Sequence, residues 1–139
     1  MKVILDTNIW ISFLLGKRLT ILREIVDMEE LEIYVSDNLL YELQTVALRP
    51  KFAGKIGLSS VLILLELINA KCKYIDGYKD AESAIRDNKD LYLLSMAESI
   101  PADYLVTGDK DLLVLRNHLG TQIITFSDFV RLVHKESSN

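Results

Sequence analysis

Two aspartates each follow a short apolar run. Asp6 closes Val3-Ile4-Leu5, and Asp109 follows Tyr104-Leu105-Val106 after the pair Thr107-Gly108. A short continuous apolar run reads as a buried parallel strand, and open α/β sheets take their ligands at the carboxyl ends of such strands. Two strands would then deliver two carboxylates to one edge of one sheet. Like charges held together cost free energy unless something neutralises them, and carboxylate oxygens suit Mg²⁺ or Mn²⁺. Two further acids fall on predicted helices: Glu42 stands among Leu39, Leu40, Leu43 and Val46, and Asp90 precedes Leu91, Leu94 and Met96. An isolated acid in an apolar helix face is expensive, so each either points outward or has a partner. Taken singly, Asp6 and Asp109 read equally well as helix caps or turn residues, and Glu42 and Asp90 as exposed helix acids. The case for chemistry is the set of four, because one topology could bring them all to the same edge.

The elements that must position these acids alternate between strand and helix, which implies a mostly parallel sheet. Strands are predicted at residues 2–6, 31–35, 72–75, 103–107 and 122–125, about five in all. Helices are predicted at 8–15, ended by Gly16, at 20–28, at 37–48 with Ser36 as its cap, and at 89–99. Pro50 and Pro101 stop the last two of these. A helix carrying Leu62, Leu65, Leu67 and Ile68 would be capped by Ser59 or Ser60, a short one is expected at 111–116, and a final one capped by Ser127 would run to Val133. Residues 76–87 are polar without a clear period and read as loop.

The chain has 139 residues, one domain by length, taken as residues 1–134 ahead of a tail at 135–139 that is expected to fray. Half of its residues are hydrophobic, enough for a real core. No apolar stretch approaches the roughly 20 residues of a membrane span, and the opening residues run straight into a strand without a charged leader, so no signal peptide is expected. Cys72 is the one cysteine, which excludes a disulfide framework and points to a reducing, cytoplasmic setting. The net charge of −4 argues against a broad basic surface for passive nucleic-acid binding. Four pocket carboxylates would account for all of it, so a local, metal-assisted contact with nucleic acid stays open.

From Val3-Ile4-Leu5-Asp6-Thr7-Asn8 to Phe126-Ser127-Asp128-Phe129 the chain resembles the PIN-domain ribonucleases. The resemblance is carried by Ser36 through Glu42-Leu43, by Leu48-Arg49-Pro50-Lys51-Phe52, by Arg86-Asp87 with Asp90, and above all by Ala102-Asp103-Tyr104-Leu105-Val106-Thr107-Gly108-Asp109-Lys110-Asp111-Leu112. It implies a three-layer α/β/α sandwich and an acidic pocket that binds Mg²⁺ or Mn²⁺ and cleaves RNA. Asp6, Glu42, Asp90 and Asp109 match the family's acidic quartet, with Asn8 and Thr107 as the small polar residues that orient it. Asp87 and Asp111 are extra acids nearby, and Asp87 competes with Asp90 for the third place. Many bacterial and archaeal members resemble toxins of VapBC-type toxin–antitoxin pairs, which implies a cognate antitoxin as partner. Dimerisation with a second copy through apolar helix faces is expected by analogy.

Arg49, Lys51 and Lys55 form the clearest local basic group, with Lys110 between Asp109 and Asp111. These cations read either as RNA-positioning residues or as a solvated face. Trp10 is expected to pack or to serve a partner surface, His118 and His134 to lie on the surface, and none of the six tyrosines is assigned to base stacking. Two other classes compete. A receiver-like phosphoacceptor would carry paired acids after its first strand and a Lys after its last, and a Mg²⁺-dependent phosphatase would carry a second Asp at the place of Asn8. A non-catalytic PIN-like binding module is disfavoured by the presence of all four acids.

Overall fold

The computed structural model describes residues 1–16, 18–75 and 91–137. Asp87, Asp90 and the predicted loop at 76–87 lie outside the described residues. The sheet comprises β1 (Lys2–Leu5), β2 (Glu32–Ser36), β3 (Lys73–Ile75), β4 (Tyr104–Val106), β5 (Asn117–His118) and β6 (Thr121–Ile124). Among the described residues the order is β3-β2-β1-β4-β6-β5, with every neighbouring pair parallel except β5–β6. β1 is central, and its Val3, Ile4 and Leu5 have no exposed surface, as a strand covered on both faces requires. Its register against β4 pairs Ile4 with Leu105 and Leu5 with Val106.

Among the described residues the sheet has six strands where the sequence predicts about five. The addition is β5, a two-residue edge strand that pairs His118 with Thr121 across Leu119 (φ 50°) and Gly120 (φ 95°). Two successive positive φ values make the tight hairpin turn that matches strand twist. Leu119 is a poor fit to that conformation, so Gly120 alone signals the turn in the sequence. His118 is not a free surface residue either. It is half-buried, and its Nε2 lies 2.7 Å from Glu98 Oε1.

The helices are α1 (Thr7–Leu15), α2 (Leu19–Val26), α3 (Asp37–Ala47), α4 (Leu58–Lys71), α5 (Leu91–Ser99), α6 (Lys110–Leu113) and α7 (Phe126–Ser137). α1 buries Thr7, Ile9, Trp10, Ile11, Phe13 and Leu14. That is apolar nearly all round, the mark of an enclosed helix. It packs against α2 and α3, and α2 against α4. Phe126 of α7 meets Phe13 edge-on, with ring centroids 5.5 Å apart, so α7 joins this layer. The chain moves outward from β1 through β2 to β3 and then returns to place β4 on the other side of β1. Right-handed crossovers in opposite directions put their helices on opposite faces. α5, packed on β1 and β4, therefore forms the third layer.

The caps decide where these helices start. Ser36 caps α3 as expected, its hydroxyl accepting from the Leu39 amide. α4 starts earlier than the Ser59/Ser60 expectation, from Gly57 with no side-chain cap. Thr125, not Ser127, caps α7, its Oγ1 accepting from the Asp128 amide at 3.2 Å. Cys72 precedes β3, where burial pushes its thiol up to about 12, so it is an inert packing residue. Among the described residues no helix is long and apolar enough to cross a membrane.

Trp10 is fully buried, and its indole Nε1 donates to the Leu5 carbonyl oxygen at 3.0 Å. This ties α1 to the end of β1, and the side chain offers nothing to a partner. Trp10→Phe keeps an aromatic ring but removes this hydrogen bond, which costs about 0.5–1.5 kcal/mol. Urea unfolding should show a loss in that range, and an unchanged midpoint would mean that the bond contributes nothing.

Candidate functional site

The chain reverses its direction across the sheet between β1 and β4. That switch point leaves a crevice beyond the carboxyl ends of the two strands, and Asp6 and Thr107 are the residues that follow those strands. The Asp6 amide donates to the Val106 carbonyl at 2.9 Å, and the Thr107 amide to that of Ile124 at 2.9 Å, so both residues leave the sheet still tied to its ladder. Asp6 is only 4 % exposed and Thr107 is fully buried.

Asp6 stands at the N-cap position of α1, with φ −60° and ψ 152°, yet its carboxylate makes no capping bond. Its backbone carbonyl serves the helix instead, accepting from the Ile9 and Trp10 amides. The carboxylate accepts from Thr107 Oγ1 at 2.7 Å. The same Thr107 oxygen accepts from the Asp109 amide at 3.0 Å. Asp109 does act as a cap, its Oδ1 accepting from the Asp111 amide at 2.9 Å to open α6. The cap reading therefore holds for Asp109 and fails for Asp6.

Burial pushes the Asp6 carboxyl above its usual range. The Thr107 bond and the Thr7 amide work against that, and the negative charges of Glu42 and Asp109 add to it. Asp6 thus feels two of the other three singled-out acids. Glu42 reaches this place from the second turn of α3, because α3 starts directly where β2 ends at the same sheet edge.

Two residues that sequence reasoning did not assign to the site belong to it. The Thr7 side chain is buried, and its Oγ1 lies 3.2 Å from the Tyr92 hydroxyl. Burial above all, and then the charges of Glu42 and Asp6, drives the pKa of that hydroxyl upward, with the Thr7 bond opposing. The signal for Thr7 was its place directly after Asp6. For Tyr92 it was a hydroxyl two residues beyond Asp90 at the start of a helix.

Other expected members stand apart. Asn8 is exposed on the opening turn of α1, and Asp111 and Lys110 are exposed on α6. Arg49, Lys51 and Lys55 are exposed around the 3-10 turn Pro50–Phe52, beyond the end of α3 that points away from the carboxylates. Lys51 is partly engaged there, its Nζ 4.9 Å from the centre of the Phe52 ring. Among the described residues no three His, Cys, Asp or Glu side chains form a close metal-binding group.

A family model described as a PIN domain matches residues 2–111. The chain belongs to the PIN-domain family. PIN domains are generally nucleases, so the fold is that of a phosphodiester hydrolase, and members typically use divalent metals. The match spans β1 to the start of α6 and therefore includes all four acids. No curated protein matches the chain significantly.

The electrostatics of Asp6 carry a signed consequence. Its native pKa is raised above the ordinary value near 3.8. The stability this contributes is fully present below the unfolded-state value and is lost as pH rises through the native one. In EDTA at pH 7, Asp6→Asn should therefore melt about 2–5 °C above the wild type, and the difference should close below about pH 4. An asparagine variant that melts lower at pH 7 would show that the carboxylate is not under repulsion.

Proposed function

We propose that this PIN domain is a metal-dependent endoribonuclease whose acidic residues are Asp6, Glu42, Asp90 and Asp109. The observation that carries the reading is the buried Asp6 carboxylate, freed from capping and set beside Glu42 and Asp109 at the sheet's switch point. An oxygen-only donor set suits Mg²⁺ or Mn²⁺. Mg²⁺ keeps several waters and binds through one or two carboxylates plus substrate phosphate, so a loosely spaced set fits it.

Asp6 and Asp109 would hold the ion directly, with Asp90 direct or through water. When bound, such an ion makes water acidic enough to attack near neutral pH and offsets charge growing on the phosphate. Glu42 would orient the attacking water or a second ion. Thr107 keeps Asp6 and Asp109 at a fixed separation, because one oxygen bonds to both residues. The layers around Asp6 exclude bulk water from its inner side.

The biological role we assign is the toxin of a toxin–antitoxin pair, acting in the cytoplasm as a homodimer and restrained by a cognate antitoxin. Its support is the resemblance to VapBC-type toxins. A short neighbouring reading frame encoding a small DNA-binding protein would agree with it, and a solitary gene would favour a housekeeping nuclease.

The deciding experiment is cleavage of a mixed RNA panel with Mg²⁺, Mn²⁺ or EDTA, beside Asp6→Asn. Cutting should need metal and fall by more than about 100-fold in the variant. Absence of both cutting and calorimetric Mn²⁺ binding would favour a non-catalytic binding module. For substrate contact, reversing charge at Lys51 and Lys55 together should weaken RNA binding about 3–10-fold at 0.1 M salt and leave Mn²⁺ affinity unchanged. Equal RNA affinity would remove that face from the substrate path.

A further inference from the structure

We propose that the outer face of α4 joins two copies of this chain as an antiparallel helix pair. This contact gives the homodimer named above its surface, and so rests on that part of the proposed function.

α4 carries no charged residue from Leu58 to Leu65. Its inner side buries Val61, Leu64, Leu67 and Ile68. A helix that is apolar all round belongs in an interior. Yet Leu58, Leu62 and Ile63 are 66 %, 54 % and 40 % exposed. Leu58 and Leu62 lie one turn apart on the same side of the helix, with the half-buried Leu65 beside them. The face is fixed from within the chain: α4 packs on α2, and Lys71 Nζ reaches Asp27 Oδ1 at 2.9 Å. An apolar row held rigidly toward solvent marks a contact surface.

The occupant follows from the order of residues along α4. A two-fold axis passing between Leu58 and Leu62 sets Leu58 of each copy against Leu62 of the other. Apolar then meets apolar on both sides of the axis. In that register Glu66, one turn beyond Leu62, faces the amino end of the other copy's α4. That end lacks negative charge, because its cap is Gly57, no side chain bonds to it, and its first turn holds no acid. A carboxylate placed there complements the amides of the opening turn. Glu66 has no ion pair among the described residues. Ser59 and Ala70 flank the row, exposed and small, so the two helices can pack closely. The face therefore carries both its own apolar complement and its own charge complement, as a two-fold contact between identical chains requires.

The test uses the full chain without metal or RNA. Sedimentation velocity at about 1–100 µM should show a dimer. Leu62→Glu should weaken self-association at least about 30-fold and leave the fold intact, because the leucine it replaces faces solvent in the single chain. Leu58→Ser should act in the same direction, and it serves if Leu62→Glu fails to fold. In a Cys72→Ala background, oxidising a mixture of Leu58→Cys and Leu62→Cys should crosslink one variant to the other faster than either to itself. Preferential crosslinking of each variant to itself would overturn the antiparallel register. Undiminished dimers in Leu62→Glu and Leu58→Ser would overturn the α4 contact and leave the homodimer standing. A wild-type protein that stays monomeric would overturn both.

Discussion

A single oxygen, Thr107 Oγ1, organises the acidic edge of this protein. It donates to Asp6 and accepts from the amide of Asp109. Neither function could be met by a valine of the same shape. Because Thr107 directly follows β4 and its amide remains bonded to Ile124, the hydroxyl inherits the rigidity of the sheet. The two acids are thus fixed by reference to paired strands and not to loop conformation. Function placed on rigid elements in this way is held more closely than function placed on loops.

The same arrangement makes Asp6 costly. Its burial and its acidic neighbours both disfavour the charged form, and one threonine bond and one amide offset only part of this. The fold accepts that cost at the centre of its sheet, beside the buried apolar side chains of Val3, Ile4, Leu5, Leu105 and Val106. Local penalties that survive in a well-packed core are the usual sign that a site is kept for something other than stability.

Much of this was legible in the sequence because it depends on short-range pattern. The apolar run before Asp6 and the one before Thr107 are buried strands, and a hydroxyl before an amphipathic stretch capped α3 at Ser36. Other features depend on neighbours that the sequence does not order. Tyr92 looks like any half-buried aromatic until the fold brings Thr7 to its hydroxyl. β5 went unseen because it is two residues long and its turn places a leucine, Leu119, where Asn or Gly is the usual signal. The start of α7 was missed by two residues because Thr125 and Ser127 both carry hydroxyls, and only the register of the last strand selects Thr125.

The bond between Thr107 and Asp6 spans 101 positions of the chain, and this separation has a consequence during synthesis. Contacts so distant in sequence form late, after the entropy of a long loop has been spent. Asp6 leaves the ribosome early, but its counterpart on β4 follows only when most of the chain has been made. A nascent or truncated polypeptide therefore holds one carboxylate without its mate. The acidic edge is completed as a by-product of finishing the central sheet, so the whole site comes into being only when translation is nearly over.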